Sequence, residues 1–267
     1  MSSPKRKAIS NGDDAEDTKR QRISSDDAPT DQAEEIPFLP SGAAPDSFID
    51  HKAAIAYWSA TEPTVNGVLG GYPQVSRIDL QGSSNFLAKL RRSSHHHPSS
   101  KKLNRAVDCG AGIGRITDGF LSKVAEVVDI VEPVKSFTDQ IQGKPGVGEI
   151  LNVGLEEWHP QRDGHGPYDL IWTQWCLSQL TDVQVVEYLG RLPAVMSEGG
   201  WIVVKENLSN HHLDEDVFDK TDSSVTRTDI KFRKLFEDAR LGVVLTELQR
   251  GMPKGLYPVR AYALQPR

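Results

Sequence analysis

One stretch near the middle of the chain limits the possible folds more than any other. A short strand pattern at Arg105–Cys109 runs directly into three alternating glycines, Gly110, Gly112 and Gly114, and a helical pattern begins at Arg115. Glycines at a strand-to-helix turn allow a tight reversal and a close approach of the backbone to a ligand, because no Cβ intervenes. The G-x-G-x-G spacing differs from the dinucleotide pattern G-x-G-x-x-G. The stretch therefore predicts a strand–helix unit with a ligand site at the carboxyl end of the strand.

The segments after this turn predict an α/β fold. Short apolar runs alternate with helical patterns, as in βαβ units with a parallel sheet. Five strands are predicted, at Arg105–Cys109, Glu126–Val131, Glu149–Val153, Tyr168–Thr173 and Gly200–Lys205. The four helices between and after them are predicted to begin near Arg115, Val134, Asp182 and Arg227. Two last runs, Gly242–Leu248 and Tyr257–Leu264, predict an antiparallel hairpin that brings the sheet to seven strands.

The N-terminal part of the chain divides into a tail and a helical extension. Residues 1–44 are predicted to form a disordered tail, because almost no large apolar residue occurs in the first 35, and the folded domain is predicted to span 45–267. The basic clusters Pro4–Lys7 and Lys19–Arg22 resemble a bipartite nuclear-localisation signal, with an ordinary solvated tail as the alternative. We therefore expect the protein in both cytoplasm and nucleus. Helical patterns at Ser47–Trp58, and in a second, short helix reaching Leu90, predict the extension.

Composition excludes several classes of protein. Only Cys109 and Cys176 are present, so neither a disulfide framework nor a Cys-rich zinc site is expected, and an intracellular compartment fits best. The adjacent histidines 95–97 cannot share one face of a helix or strand, so we expect an exposed loop there and no metal site. There is no apolar run of about 18 residues, as a membrane-spanning helix needs. The net charge of −6 argues against general nucleic-acid binding and suits a positively charged substrate.

Two residues indicate which ligand the glycine turn holds. Glu132 follows the second predicted strand about 20 residues beyond the glycines, where an acidic side chain can accept hydrogen bonds from ribose hydroxyls. Arg115 can pair with a carboxylate. S-adenosylmethionine carries a carboxylate, whereas a nicotinamide dinucleotide carries a pyrophosphate. The pattern therefore favours S-adenosylmethionine, and together with the final hairpin it predicts a Rossmann-like class I methyltransferase.

Five separated motifs resemble one family, the protein N-terminal methyltransferases. They occur in order between residues 57 and 264. The motifs are Tyr57-Trp58 with PTVNGVLGGY at 63–72, DCGAGIGRIT at 108–117, IWTQWC at 171–176 with LTD at 180–182, VVKEN at 203–207, and DSSV at 222–225.

The resemblance implies transfer of methyl groups from S-adenosylmethionine to the free α-amine of proteins that begin X-Pro-Lys or X-Pro-Arg after removal of methionine. Ribosomal and chromatin proteins would fit as partners. By position, the residues that would hold the cofactor are Gly110, Gly112, Arg115, Glu132, Leu155 and Gln174. The residues that would form the peptide channel are Trp58, Leu69, Trp175, Asn207, Asp219, Asp222, Ser224 and Tyr257.

The chemistry of such a transfer assigns roles to these side chains. An α-amine has a reference pKa of about 7.7–8.0, and only its neutral form has a lone pair for attack on the methyl group. Asp222 is the candidate base and Asn207 would orient the amine. Asp219 would pair with the substrate's third residue, while Trp58 and Trp175 would wall the channel around the second-position proline.

One residue departs from the family pattern, and alternative functions stay open. Gln179 stands where better-known family members carry a histidine, so Asp222 or a water must take the proton. The same fold can instead methylate a small molecule or a side-chain amine, or serve as a binding module without activity. Removal of Met1 and Ser2 would expose a Ser-Pro-Lys terminus, which raises the hypothesis of self-methylation.

Overall fold

The computed structural model describes residues 42–267, apart from Ser93 and Leu213. Seven strands form one sheet in the order β3-β2-β1-β4-β5-β9-β8, and β6 and β7 form a separate two-stranded hairpin. The strands are β1 Leu103–Cys109, β2 Ala125–Val131, β3 Val147–Leu151, β4 Tyr168–Gln174, β5 Met196–Asn207, β6 Val217–Asp219, β7 Ser224–Thr226, β8 Leu241–Leu248 and β9 Val259–Pro266.

Seven α-helical segments accompany the strands. They are α1 His51–Ala60, α2 Val65–Val68, α3 Val75–Arg92, α4 Ser122–Val124, α5 Lys135–Thr138, α6 Asp182–Arg191 and α7 Asp229–Asp238. A π-helical turn at Thr117–Leu121 leads into α4, and a 3₁₀ turn at Pro45–Phe48 precedes α1. Side-chain caps set the starts of α1, α6 and α7, through Asp50, Thr181 and Thr228 respectively.

The strand directions place the candidate ligand site. Strands β1 to β5 are parallel, and β9 runs antiparallel to both β5 and β8. The chain passes from β1 outward to β2 and β3, and then returns to add β4 on the other side of β1. The carboxyl ends of β1 and β4 therefore flank the point where the strand order reverses, and ligands of open α/β sheets bind at such a point.

Both faces of the sheet are covered by apolar side chains. One face packs with α6 and α7, through residues such as Tyr188 and Phe236. The other packs with α3 and the helical turns after β1, through Phe86 and Phe120. Because the strands are buried on both faces, they appear in the sequence as nearly continuous apolar runs.

The predicted α/β class and seven-stranded sheet are confirmed, and three details differ. The second N-terminal helix is not short, because α3 extends over 18 residues. The hairpin of β6 and β7 was not predicted, since strands of three residues carry too little alternation to be recognised. The 93–102 loop is not wholly exposed: the ring of His97 lies 5.4 Å from that of Trp201.

The N-terminal extension packs beside the β6–β7 hairpin. The rings of Phe48 and Phe218 lie 5.7 Å apart, and the amide of Asp50 donates to Ser223 Oγ over 2.7 Å. Residues 1–41 of the predicted tail, with both basic clusters, lie outside the described residues, so the tail, the domain boundary and the nuclear localisation stay predictions. Among the described residues, no helix combines the length and apolarity needed to cross a membrane.

Candidate functional site

The glycine turn forms the floor of the site. Gly110, Gly112 and Gly114 have φ values of 68°, 55° and 75°, which only glycine adopts without strain. The amide of Gly110 donates to Val131 O over 2.8 Å, so the turn is fixed to the end of β2. A Cβ on Gly110 would lie 2.5 Å from the Cβ of Cys176, so a side chain cannot be accommodated there. These constraints explain why the glycines stand where the sequence has them.

Glu132 lies beside this turn at the carboxyl end of β2. Its Oε2 accepts a hydrogen bond from the amide of Gly112 over 2.8 Å, and its Oε1 accepts one from the amide of Val134 over 2.9 Å. Burial raises the pKa of this carboxyl group. Each carboxylate oxygen has a second lone pair, so Glu132 can still accept from two hydroxyl groups while it holds the backbone.

Arg115 and Gln174 meet at the other end of the turn, joined by a residue of α3. One Arg115 guanidinium nitrogen lies 2.8 Å from Asp79 Oδ2, and the Gln174 amide donates to both Asp79 oxygens over 2.9 Å. Trp172 Nε1 donates to Gln174 Oε1 over 3.0 Å, which fixes the orientation of the amide. The structure therefore brings these two cofactor candidates together around Asp79, which was not predicted from the sequence.

A cavity opens between the glycine turn, the end of β2 and α1. It is lined by Gly110, Glu132, Leu155, Trp58, Cys176 and Gln179, among others. Both amide atoms of Gln179 and Nε1 of Trp58 are buried without a hydrogen-bond partner among the described residues. Unpartnered buried polar groups are costly, and they indicate a site that receives a polar ligand. With acceptors at Glu132, a cation at Arg115 and glycine backbone between them, the residues fit S-adenosylmethionine.

The predicted walls of the acceptor channel lie in one apolar cluster. Trp58, Leu69 and Trp175 are each at most 3% exposed and pack together. Trp175 directly follows β4 with a φ of 54°, and the Arg115 guanidinium carbon lies 5.3 Å from the centre of its ring. A left-handed backbone at a bulky residue is strained, and such strain occurs often at functional sites. Trp175 thus connects the cofactor end of the site with the acceptor end.

The β6–β7 hairpin carries the predicted carboxylates of the acceptor end. Ser224 Oγ donates to Asp222 Oδ1 over 2.7 Å, and both side chains are buried. Asp219 accepts from the amide of Thr221 over 2.9 Å. Burial and the charges of Asp222 and Asp219 raise the pKa of Tyr57. The charges of both carboxylates therefore act on the Tyr57 hydroxyl.

Two tyrosines connect these carboxylates with the rest of the channel. The ring of Tyr57 is 5.0 Å from that of Trp58. Burial and then the charge of Asp219 raise the pKa of Tyr257. The Asp50 amide at the start of α1 donates to Ser223 Oγ in the hairpin, and Trp58 of α1 packs in one apolar cluster with Leu256, just before β9. Segments that are far apart in the sequence therefore come together here.

Asn207 and Glu206 end β5 next to this cluster. Asn207 is 4% exposed and pairs with Val259 of β9 in the sheet. Oε1 of Glu206 accepts hydrogen bonds from the amides of Cys176 and Leu177, over 2.8 and 2.9 Å. Burial raises the pKa of Glu206 to about 7. Glu206 thus fixes the segment that carries Trp175 and Gln179, a role that was not predicted from the sequence.

Asp79 and Lys205 are further residues that sequence reasoning missed. Both are at most 1% exposed. A charged residue between two apolar ones, as in Ile78-Asp79-Leu80 on an amphipathic helix, was the signal that could have revealed Asp79. Within the described residues, no group of three or more His, Cys, Asp or Glu side chains is arranged to hold a metal ion.

The sheet order, the antiparallel last strand and the glycine turn together define the class I methyltransferase fold. A solved structure of a Leishmania major protein, described as a SAM-dependent methyltransferase, superposes with a TM-score of 0.71 at 35% identity and covers 80% of this chain and 82% of its own. More distant structures share the fold alone, such as the DhpI–SAH complex with a TM-score of 0.55 at 14% identity, over 82% of this chain and 98% of that one.

The chain belongs to the AdoMet-dependent proline di-methyltransferase family, whose model matches residues 46–265. It is 44% identical to alpha N-terminal protein methyltransferase 1 of Schizosaccharomyces pombe over 220 residues, which are 80% of this chain and 94% of that relative. It is 35% identical to N-terminal Xaa-Pro-Lys N-methyltransferase 1 of Mus musculus, over 80% of this chain and 95% of that relative. These matches confirm the family that the five sequence motifs indicated.

Proposed function

We propose that this chain transfers methyl groups from S-adenosylmethionine to the free α-amine of proteins whose exposed N-terminus begins X-Pro-Lys or X-Pro-Arg. Membership of the family and the names of the relatives support this acceptor. The observation that carries the proposal is the contact between the start of α1 and the hairpin that holds Asp219 and Asp222. The same helix carries Trp58, which packs with Trp175. Two carboxylates beside an apolar, aromatic wall suit a peptide that has a proline and two cationic groups.

The residues at the carboxyl ends of β1 to β4 would hold the methyl donor. Glu132 would accept from the ribose hydroxyls, Arg115 would pair with the carboxylate, and Leu155 would contribute an apolar contact. Gly110 and Gly112 would allow the backbone to approach, and Gln174 would be kept in place by Asp79. When bound, S-adenosylmethionine supplies an electrophilic methyl group on its sulfonium.

Asp222 is the group that we assign to the acceptor's proton. At pH 7 roughly a tenth of an ordinary α-amine is neutral, so a nearby carboxylate that takes the proton raises the reactive fraction. The hydrogen bond from Ser224 Oγ fixes the Asp222 carboxylate, which would take the proton of the amine directly or through a bridging water. Asn207 would orient the amine from the end of β5. Gln179 cannot take a proton, so it would serve only as a hydrogen-bonding partner.

The rest of the channel would select the peptide. Trp58 and Trp175 would contact the proline, and Leu69 packs with them. Asp219, near Tyr257 at a partly exposed position, would pair with the lysine or arginine in the third place. Most of the rate would come from holding the donor and the acceptor in line. Ribosomal or chromatin proteins with such termini remain the predicted partners.

Mass spectrometry of two peptides tests the proposal. One peptide begins Ser-Pro-Lys-Arg with a free amine, and its twin is acetylated at that amine. We expect gains of methyl mass on the free peptide alone when the chain and S-adenosylmethionine are present. Methylation of both peptides would contradict the α-amine acceptor and indicate a side-chain acceptor, and methylation of neither would contradict the proposed activity.

A further inference from the structure

A buried cluster of charges lies beneath the cofactor end of the site. It contains two cations, Arg115 and Lys205, and one carboxylate, Asp79, which is fully buried. The Lys205 ammonium lies 2.6 Å from Asp79 Oδ1, and Arg115 Nη1 lies 2.8 Å from Oδ2. Asp79 comes from α3, Lys205 from β5 and Arg115 from the segment after β1. Three separate elements therefore contribute to one charge cluster.

Hydrogen bonding indicates that Lys205 is protonated. An ammonium group has three donors. Its Nζ contacts three acceptors, namely the Asp79 carboxylate, the Asp79 carbonyl oxygen over 3.0 Å and Ser83 Oγ over 2.9 Å. Burial alone would raise the pKa of Asp79, but the charges of Lys205 and Arg115 hold it below its ordinary value. The cluster is therefore best described as two positive charges and one negative charge.

Arg115 keeps donors that this cluster does not use. Within the described residues, its hydrogen bonds and ion pairs involve Nη1 alone, with Asp79 and Ser76 as partners. Its side chain also lines a small cavity next to Gln174, Trp175 and Ala111. If Lys205 were absent, the charges of Asp79 and Arg115 would cancel. With Lys205 present, one unit of positive charge is left over next to that cavity.

We propose that Lys205 and Asp79 are positioning residues for the amino-acid end of the cofactor. Lys205 offsets Asp79, so that Asp79 can hold Arg115 and Gln174 in place while these three charged residues together keep a net charge of +1. The Arg115 donors that the cluster does not use can then pair with one carboxylate. The inference rests on the proposed cofactor, but it concerns two residues that do not contact it.

Two ligands that differ at the amino-acid end separate this role from a merely structural one. S-adenosylhomocysteine carries the carboxylate, and 5′-methylthioadenosine lacks the amino-acid end. Calorimetric titration of the full chain gives the ratio of their dissociation constants. We expect the unchanged chain to favour S-adenosylhomocysteine by about tenfold or more, as a charged hydrogen bond provides. Lys205→Met should bring this ratio close to one while the affinity for 5′-methylthioadenosine changes less than about threefold.

A double variant and a matched control complete the test. Asp79→Asn combined with Lys205→Met again leaves one positive charge, on Arg115, and should recover at least part of the ratio. Arg105→Met also removes a cation from a buried carboxylate, that of Asp129 at 2.7 Å, but outside the site, and should leave the ratio unchanged.

Three results would overturn the proposal. They are a normal ratio in Lys205→Met, no recovery in the double variant, or no preference in the unchanged chain. Failure to methylate the peptide, with the ratio intact, would instead count against the proposed acceptor alone.

Discussion

The two ends of the site are built in different ways. Most of the cofactor end comes from one short part of the chain, in which the glycine turn, Arg115 and Glu132 follow one another across β1 and β2, and Leu155 and Gln174 join it from further along the chain. The turn itself is held by backbone contacts, such as those from Gly112 and Val134 to Glu132. The acceptor end instead joins α1, the end of β5, the β6–β7 hairpin and the segment before β9, and it consists of side chains.

This difference determines what each end can tolerate. The glycines of the turn have positive φ values, and a Cβ added at Gly110 would lie 2.5 Å from a neighbouring atom. A substitution in this turn would therefore disturb the ligand site. A channel of side chains on a hairpin and a loop can change one residue at a time. Gln179 is such a change, because this chain has an amide side chain at a position where better-known family members carry a histidine, which can titrate. We expect substrate range to vary at the acceptor end and cofactor affinity to stay constant.

The largest effect is expected at Asp222, where a substitution should lower kcat without changing the affinity for the cofactor. Asp222→Asn removes the proposed base but keeps the shape of the side chain, so kcat for the Ser-Pro-Lys-Arg peptide should fall by about 10²–10⁴-fold. Binding of S-adenosylhomocysteine, measured by calorimetry, should stay within about twofold. Asp163→Asn, at an exposed position far along the chain, is the matched control. A kcat within about threefold of the unchanged chain would remove Asp222 from the mechanism.

A substitution at Glu132 is expected to change the affinity for the cofactor. Glu132→Gln places an amide nitrogen against one of the two backbone amides that Glu132 accepts from, so that one hydrogen bond is lost. Hydrogen bonds to a charged acceptor contribute about 1.5–3 kcal/mol. The dissociation constant of S-adenosylhomocysteine should therefore rise by about 10- to 100-fold. Glu126→Gln, at an exposed position of the same strand, should change it little. Unchanged affinity in Glu132→Gln would mean that this carboxylate does not hold the ribose.

A smaller effect is expected at Asp219, because the side chain is only partly buried. An ion pair at such a position contributes about 0.2–1 kcal/mol. Asp219→Asn should raise KM by up to about fivefold for a Ser-Pro-Lys peptide and leave KM unchanged for a Ser-Pro-Gln peptide. Steady-state kinetics with both peptides measures this difference. An equal change for the two would show that Asp219 does not recognise the third residue.

The last effect concerns the stability of the fold and not activity, through Glu206, which lies between the two ends. Burial raises its pKa from 4.5 to about 7, so the folded chain binds a proton that the unfolded chain releases within that range. This group's contribution to stability is therefore present in full below about pH 4.5 and is lost as the pH rises to 7, by at most about 1.4 kcal/mol per pH unit.

Glu206→Gln tests this pH dependence, since its amide oxygen can still accept from Cys176 and Leu177. Denaturant unfolding at pH 5 and pH 7.5 should show a smaller loss of stability in the variant than in the unchanged chain. Equal losses would show that Glu206 is ionised throughout this range or that other groups dominate the pH dependence.

The sequence by itself determined the class of fold and the cofactor end. Alternating apolar runs predicted the seven strands, and glycines at fixed spacing before a helix predicted a turn whose positive φ values the structure shows. Glu132 could be placed because it directly follows the strand next to β1. These predictions succeed because local geometry and strand periodicity are properties of short segments.

Only the tertiary structure decided how distant segments meet. The cluster of Asp79, Lys205 and Arg115 could not be assembled from the sequence, since a charged residue in one segment does not show which residues of other segments it meets. The acceptor residues could be named through family resemblance, but their arrangement depends on a hairpin of two three-residue strands packed against the N-terminal extension. Burial and the sum of nearby charges depend on packing between elements far apart in the chain, so they first appear when the chain is folded.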